Sequence, residues 1–262
     1  MTDHLVPLGA ALGALLVAAI AVWGLSLRTR DTSIVDIFWG PFFLLAAVVY
    51  WATTPDGGWA PREVVVLLLV AVWATRLATH IGARSAGRGE DYRYAEMRSR
   101  AGAAWPLQSL PRVFILQALL AFVVSLPLYA TMRDGPAGWT PLDAAAIGLW
   151  VVGFVFEALG DHQLTAFVRD PANRGRTLRT GLWSITRHPN YFGDAAQWWG
   201  LWLLAVAAGG AWSVIGPVVM TVLLVRVSGM GMLERTIVER REGYDEYMRT
   251  TPGFVPWIRL DR

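Results

Sequence analysis

Apolar blocks of about 17–25 residues, the length a helix needs to cross a bilayer, recur along this chain. They lie near Val6–Leu25, Ile34–Trp51, Val64–Ile81, Val113–Met132, Leu142–Leu159, Tyr191–Ala208 and Trp212–Val227. In hydrocarbon every backbone N–H and C=O must be paired inside the protein, and a helix does this within one segment. The blocks predict an all-α, polytopic membrane protein with seven transmembrane helices. Only 16% of the residues are charged, against about 25% in water-soluble domains. The first block starts almost at the first residue. No basic stretch precedes it and no small-residue cleavage site follows, so it reads as a retained helix rather than a signal peptide.

Arginine placement sets the expected orientation. All 23 basic residues are arginine, and 20 of them fall in the 28–30 turn, the 84–112 loop, the 169–187 loop and the tail from Arg226. By the positive-inside rule that side is cytoplasmic, with the N-terminus outside and the C-terminus inside. The expected organisation is one seven-helix domain over 1–262 in the inner (cytoplasmic) membrane. Its cytoplasmic parts are loops 82–112 and 160–190 and the tail 228–262, which carry the active face. No repeat or low-complexity segment interrupts it.

The composition removes several chemistries. There is no cysteine, hence no disulfide or thiol nucleophile, and no lysine to form a Schiff base. The four histidines, His4, His80, His162 and His188, are scattered and lack metal-ligand spacing, so no metal is expected. No Gly-rich phosphate loop follows a strand, so a nucleotide would be bound without a Rossmann fold. Nothing in the pattern points to nucleic acid.

The stretch Gly181–Gly200, GLWSITRHPNYFGDAAQWWG, turns from a polar loop into a Trp-rich apolar helix. Pro189 suits a first helical turn and keeps His188 out of helical geometry. The helix N-terminus, with Arg187 and His188 beside it, favours an anion. Arg forks bind phosphate and aromatic rings stack on flat rings. Arg187, His188, Asn190 and Tyr191, with Arg174, Arg179 and Asp161 of the preceding loop, therefore form a candidate cofactor site. A second signal is Asp36, Arg76, His80 and Glu157, ionisable groups near the cytoplasmic ends of the spans, where such groups are costly. Arg76 and His80 share one helical face. Either this set pairs to fix helix packing, or it supplies a proton and stabilises an oxyanion above a lipid-accessible pocket.

GLWSITRHPNYFGDAAQWWG, together with GRGEDYRYAEMR (87–98) and GYDEYMRTTPGFVPW (243–257), resembles a bacterial branch of the membrane steroid 5-alpha-reductase family. The resemblance implies a seven-helix fold with NADPH on the cytoplasmic side and a lipid-soluble substrate entering from the bilayer. In that family hydride goes to the β-carbon of an enone while a polar group holds the carbonyl oxygen. Asn190, Gly193 and Asp194 match its cofactor-contacting segment, and Asp161 matches an aspartate near the nucleotide. Arg169, Arg174 and Arg179 lie where it places phosphate-binding arginines. Arg88 and Tyr92 fall in its Arg-Gly-rich loop, and Arg235 and Tyr244 in the tail over the cofactor. Span two has Asp36 where steroid reductases carry a Gln-Glu pair, and Arg76 takes the place of their third-helix tyrosine. Asp36, Arg76, His80 and Tyr92 are thus the expected catalytic set. The RHPxYxG motif and the tail also resemble S-adenosylmethionine-dependent membrane methyltransferases, in which Arg187, His188 and Glu234 would hold the cofactor. The Arg169–Arg187 cluster favours the more highly charged NADPH.

Overall fold

The computed structural model describes residues 5–54, 60–133, 138–227, 234 and 241–257. Among them all regular structure is helical. The chain forms two compact units, Met1–Trp139 with Ala205–Ser213, and Thr140–Leu204 with Val214–Arg262.

The first unit opens with α1 (Leu5–Thr29), α2 (Ile34–Thr53) and α3 (Pro61–Ser85). Gly40 lets α2 lie against α3: a Cβ there would sit 2.9 Å from the Ala74 Cα. Phe43 fills the space beside it, edge-on to Trp39 at 4.9 Å and to Trp73 at 5.5 Å. The expected polar loop 82–112 is largely helical instead. After a turn through Gly87 and Gly89, both at positive φ, α4 covers Tyr92–Ala101. Asp91 caps it by accepting from the Arg93 N–H at 3.0 Å. Its sequence is rich in helix formers, and Glu96 pairs with Arg100 one turn on at 2.5 Å. A 3-10 turn, α5 (Trp105–Ser109) and a π-helical turn at Leu110–Ile115 lead into α6 (Leu116–Val124). Pro111 has no N–H for a regular ladder, which accounts for the π turn. The fourth predicted span breaks at Ser125, and α7 (Leu126–Met132) restarts with Pro127 in its first turn.

The second unit is built on α8 (Pro141–Arg169), started by a capping box between Thr140 and Asp143. It outruns the predicted span by ten residues, so Asp161 and His162 are helical rather than in a loop. Next come α9 (Pro189–Ala207), α10 (Ile215–Val222) with a π turn at Leu223–Val227, and α11 (Tyr244–Thr250) in the tail.

Among the described residues, five stretches are long and apolar enough to cross a membrane: α1, α2, α3, the continuous helical run Tyr92–Val124, and α8. The other two predicted spans correspond to α9 and to the shorter apolar Ala211–Val227. Asn190, Asp194 and Gln197 make α9 the more polar of these.

Candidate functional site

In the first unit three elements converge on Asp36, in the first turn of α2. Its Oδ2 accepts from Arg93 Nη2 at 3.0 Å and its Oδ1 from the Tyr94 hydroxyl at 2.7 Å. Gln117 of α6 brings its Nε2 to 3.4 Å from both Asp36 Oδ1 and the Tyr94 oxygen. Arg93 is aimed by Asp91, which accepts from its Nε at 2.9 Å. The Gln117 Oε1 is buried with no hydrogen-bond partner among the described residues.

The turn before α4 is tied to the start of α2. Glu90 accepts from the Thr32 N–H at 2.7 Å and takes Arg98 through both carboxylate oxygens at 2.8 Å. The Asp91 N–H donates to the Ser33 hydroxyl at 3.2 Å. Burial works against ionisation of Glu90 and Asp91, but their hydrogen bonds outweigh it and hold both carboxyls below the usual range.

Tyr92, the tyrosine expected to be catalytic, is 56% exposed, whereas Tyr94 is buried. Positions two apart on a helix do not face each other, so only one of the two can reach Asp36. Arg76 and His80 lie one turn apart on α3, half-buried, and Arg88 is exposed. Arg93, Tyr94 and Gln117 were missed. Their one sequence signal was proximity to the Arg-Gly loop and, for Gln117, a lone amide in an apolar span.

In the second unit α8 and α9 touch backbone to backbone at glycines. A Cβ on Gly153 would meet the Gly193 carbonyl, and one on Gly193 would meet the Glu157 N–H and the Gly153 carbonyl. Gly160 abuts Pro189, and Gly200 abuts Ala146 and Trp150. Buried polar groups line this seam. Gln197 donates to Glu157 at 2.6 Å, and Asn190 donates to Asp161 at 2.9 Å. Asp194 is buried on α9 as well. Asn190 and Gln197, two turns apart on one face, each keep a buried carbonyl oxygen without a hydrogen-bond partner among the described residues. The structure thus brings Asp161 and Asn190 together. It adds Gln197, a lone amide in an apolar span with no local sign of its partner.

Arg187 is already occupied. Its Nε and Nη2 grip the Glu234 carboxylate at 2.8 and 3.2 Å, while Nη1 donates to the Met248 and Thr251 carbonyls at 2.7 and 3.0 Å. Four of its five donors are therefore used within the protein. The cation also sits at the C-terminal end of α11, where the helix dipole favours it. His188 Nε2 lies 3.0 Å from Glu234, and its ring stacks on Tyr191 with centroids 5.3 Å apart. Burial opposes ionisation of Glu234, but His188 and Arg187 overcome it and hold the carboxyl below the usual range. Further bonds stitch the tail to the loop. Tyr247 donates to the Trp183 carbonyl, Glu242 N–H to Gly175 at 3.1 Å, and Thr177 to Glu242 at 3.0 Å. Arg179 binds Glu246 at 3.0 Å and the Gly243 carbonyl. Burial pushes the Tyr244 hydroxyl up to about 12. Arg169 and Arg174 are exposed, and Arg235 lies outside the described residues.

A pH dependence follows. The folded pKa of Glu234 is depressed, so its contribution to stability is present above the ordinary 4.5 and is lost as pH falls through the lower folded value. Glu90 and Asp91 act in the same direction. Limited proteolysis across an acid series is expected to show cleavage within 241–257 rising below pH 4.5. Unchanged cleavage there would contradict the clamp.

These features define a helical membrane protein with a polar cluster at the start of α2, a polar seam between α8 and α9, and a clamped tail. Residues 22–251 match the family described as "Protein of unknown function (DUF1295)", a steroid 5-alpha-reductase-like family, and the chain belongs to it. The chain is also similar to an uncharacterized protein of the fission yeast Schizosaccharomyces pombe. The two are 28% identical over an alignment that covers 71% of this chain and 61% of the yeast protein. No solved structure matches.

Proposed function

We propose that this protein is an NADPH-dependent membrane reductase that saturates a carbon–carbon double bond conjugated to a carbonyl in a lipid-like substrate. The observation that carries the reading is the Asp36–Tyr94 pair flanked by Arg93 and Gln117. A hydroxyl held by a carboxylate, with a guanidinium beside it, suits an oxygen on which negative charge develops. Tyr94 has one hydroxyl proton, which it turns from Asp36 Oδ1 to the substrate oxygen when substrate binds. Arg93 offsets the growing charge, and Gln117, whose Nε2 faces both oxygens, keeps the hydroxyl oxygen and Asp36 in place. Arg76 and His80 serve as further polar groups in this reading. The net reaction adds a hydride at the β-carbon and a proton at the α-carbon.

The cofactor reading is supported by the residues of the α8–α9 seam. The open acceptors Asn190 Oδ1 and Gln197 Oε1 suit hydroxyl and amide N–H donors such as those of ribose and nicotinamide. Asp161, Gly193, Asp194 and Tyr191 complete that neutral end, while exposed Arg169 and Arg174 suit phosphates. NADPH, when bound, supplies the hydride. Arg187, His188 and Tyr244 shape the tail rather than bind phosphate in this reading. Seven spans, an outside N-terminus, and an inner membrane with the active face toward the cytoplasm belong to the same proposal, as does a substrate arriving through the surrounding lipid.

The test is a thermal shift of detergent-purified protein with NADPH, NADH and S-adenosylmethionine. A ligand that binds only the native state stabilises it by about 2.7 kcal/mol at one hundred times its Kd. NADPH is expected to stabilise the protein, and Asn190→Ala to weaken that shift. Stabilisation by S-adenosylmethionine alone would replace the reductase with a methyltransferase. In a protein that passes, Tyr94→Phe is expected to slow reduction of a lipophilic enone by about 100-fold, with cofactor stabilisation unchanged. Full activity in that variant would remove Tyr94 from the chemistry.

A further inference from the structure

The last described stretch, Thr251–Trp257, carries no charged side chain. Backbone bonds hold it to the loop before α9: the Arg187 N–H donates to Pro252 at 2.9 Å and the Trp257 N–H to Ile185 at 3.0 Å. The Thr186 hydroxyl adds bonds to the Gly253 and Phe254 carbonyls at 3.2 and 2.9 Å. With the backbone so held, Val255 and Trp257 are left 63% and 68% exposed. Solvent-facing residues that large and apolar are anomalous at the end of a polar tail.

A run of rings joins this stretch to α8. Phe254 lies edge-on to Phe192 with centroids 6.1 Å apart, and Phe192 lies 5.1 Å from Phe156. Phe156 belongs to the last apolar turn of α8, a helix long enough to cross the membrane. The tail end thus packs, ring on ring, beside the end of the apolar stretch of α8, where a membrane-crossing helix would meet the boundary between acyl chains and headgroups. The charges of α11 lie apart from it, with Asp245, Glu246 and Arg249 well exposed. Tryptophan is enriched at this boundary, and covering apolar surface there gains about 25 cal/mol per Å².

We infer that residues 254–257 are an interfacial anchor and that the phospholipid bilayer itself covers Val255 and Trp257. The anchor ties the tail to the membrane beyond α11, as the Arg187–Glu234 clamp ties it before and at that helix. This inference stands independently of the proposed reaction.

The chain has no cysteine, so Val255→Cys creates a unique labelling site. The full-length variant is labelled with a polarity-sensitive fluorophore in phosphatidylcholine–phosphatidylglycerol nanodiscs, with Arg249→Cys as the water-exposed reference. Acyl-brominated lipid is expected to remove most of the emission at 255 and little at 249, and iodide is expected to do the reverse. Trp257→Cys repeats the reading if Val255→Cys does not fold. Equal iodide quenching at 255 and 249 would overturn the anchor. So would a label reached by neither quencher, which would mean that protein, such as a second copy, covers the site.

Discussion

Arg187→Ala is expected to cost about 3 kcal/mol and to release the tail. The Arg187 and Glu234 side chains are only 11% and 14% exposed, so the variant leaves a desolvated carboxylate facing a single histidine. It also strips the Met248 and Thr251 carbonyls of their donor at the end of α11. An exposed ion pair would lose at most about 1 kcal/mol, so the size of the effect discriminates. Equilibrium unfolding in mixed detergent gives the energy, and protease sensitivity of 241–257 gives its location. Glu234→Gln retains an acceptor for Arg187 and is expected to lose less. If Arg187→Ala unfolds like the parent and its tail stays protected, the clamp is not what orders the tail.

Gly193→Ala is expected to be the most damaging single methyl group in the second unit, at about 3 kcal/mol. Its Cβ would be pressed into the Glu157 N–H and the Gly153 carbonyl, which are backbone atoms that cannot rotate away. Accommodation means driving α8 and α9 apart. That breaks the Gln197–Glu157 and Asn190–Asp161 hydrogen bonds in the same seam. The loss should therefore appear twice, as reduced stability and as weaker stabilisation by NADPH. Gly148→Ala, on the facing helix α8 with open space around it, is the control and should not destabilise. Similar behaviour of the two variants would rule out backbone contact at the seam.

The contrast between the two tyrosines of α4 shows where reading the sequence stops. Tyr92 and Tyr94 sit in one motif, and nothing local favours either. The choice follows from the rotation of α4, which depends on the Asp91 cap and on the bonds from Glu90 and Asp91 to Thr32 and Ser33, 58 residues away. Arg187 is a similar case. Its motif was legible as special, but the partner that occupies it, Glu234, is 47 residues further on. A free arginine fork and a used one look alike in sequence.

Hydrophobic block length and the position of proline are local quantities, and they were sufficient for the all-helical membrane architecture and the start of α9 at Pro189. Element ends were less legible, because a capped polar helix such as α4, or the polar extension of α8 to Arg169, has no apolar period to announce it. Which polar groups meet was settled only by tertiary packing. Backbone contact at Gly153 and Gly193 buries Glu157 and Gln197 together, and docking of 241–257 turns Arg187 from an anion site into a clamp. Those pairings join residues far apart in the chain, and their energy exists only once the helices and tail are in place.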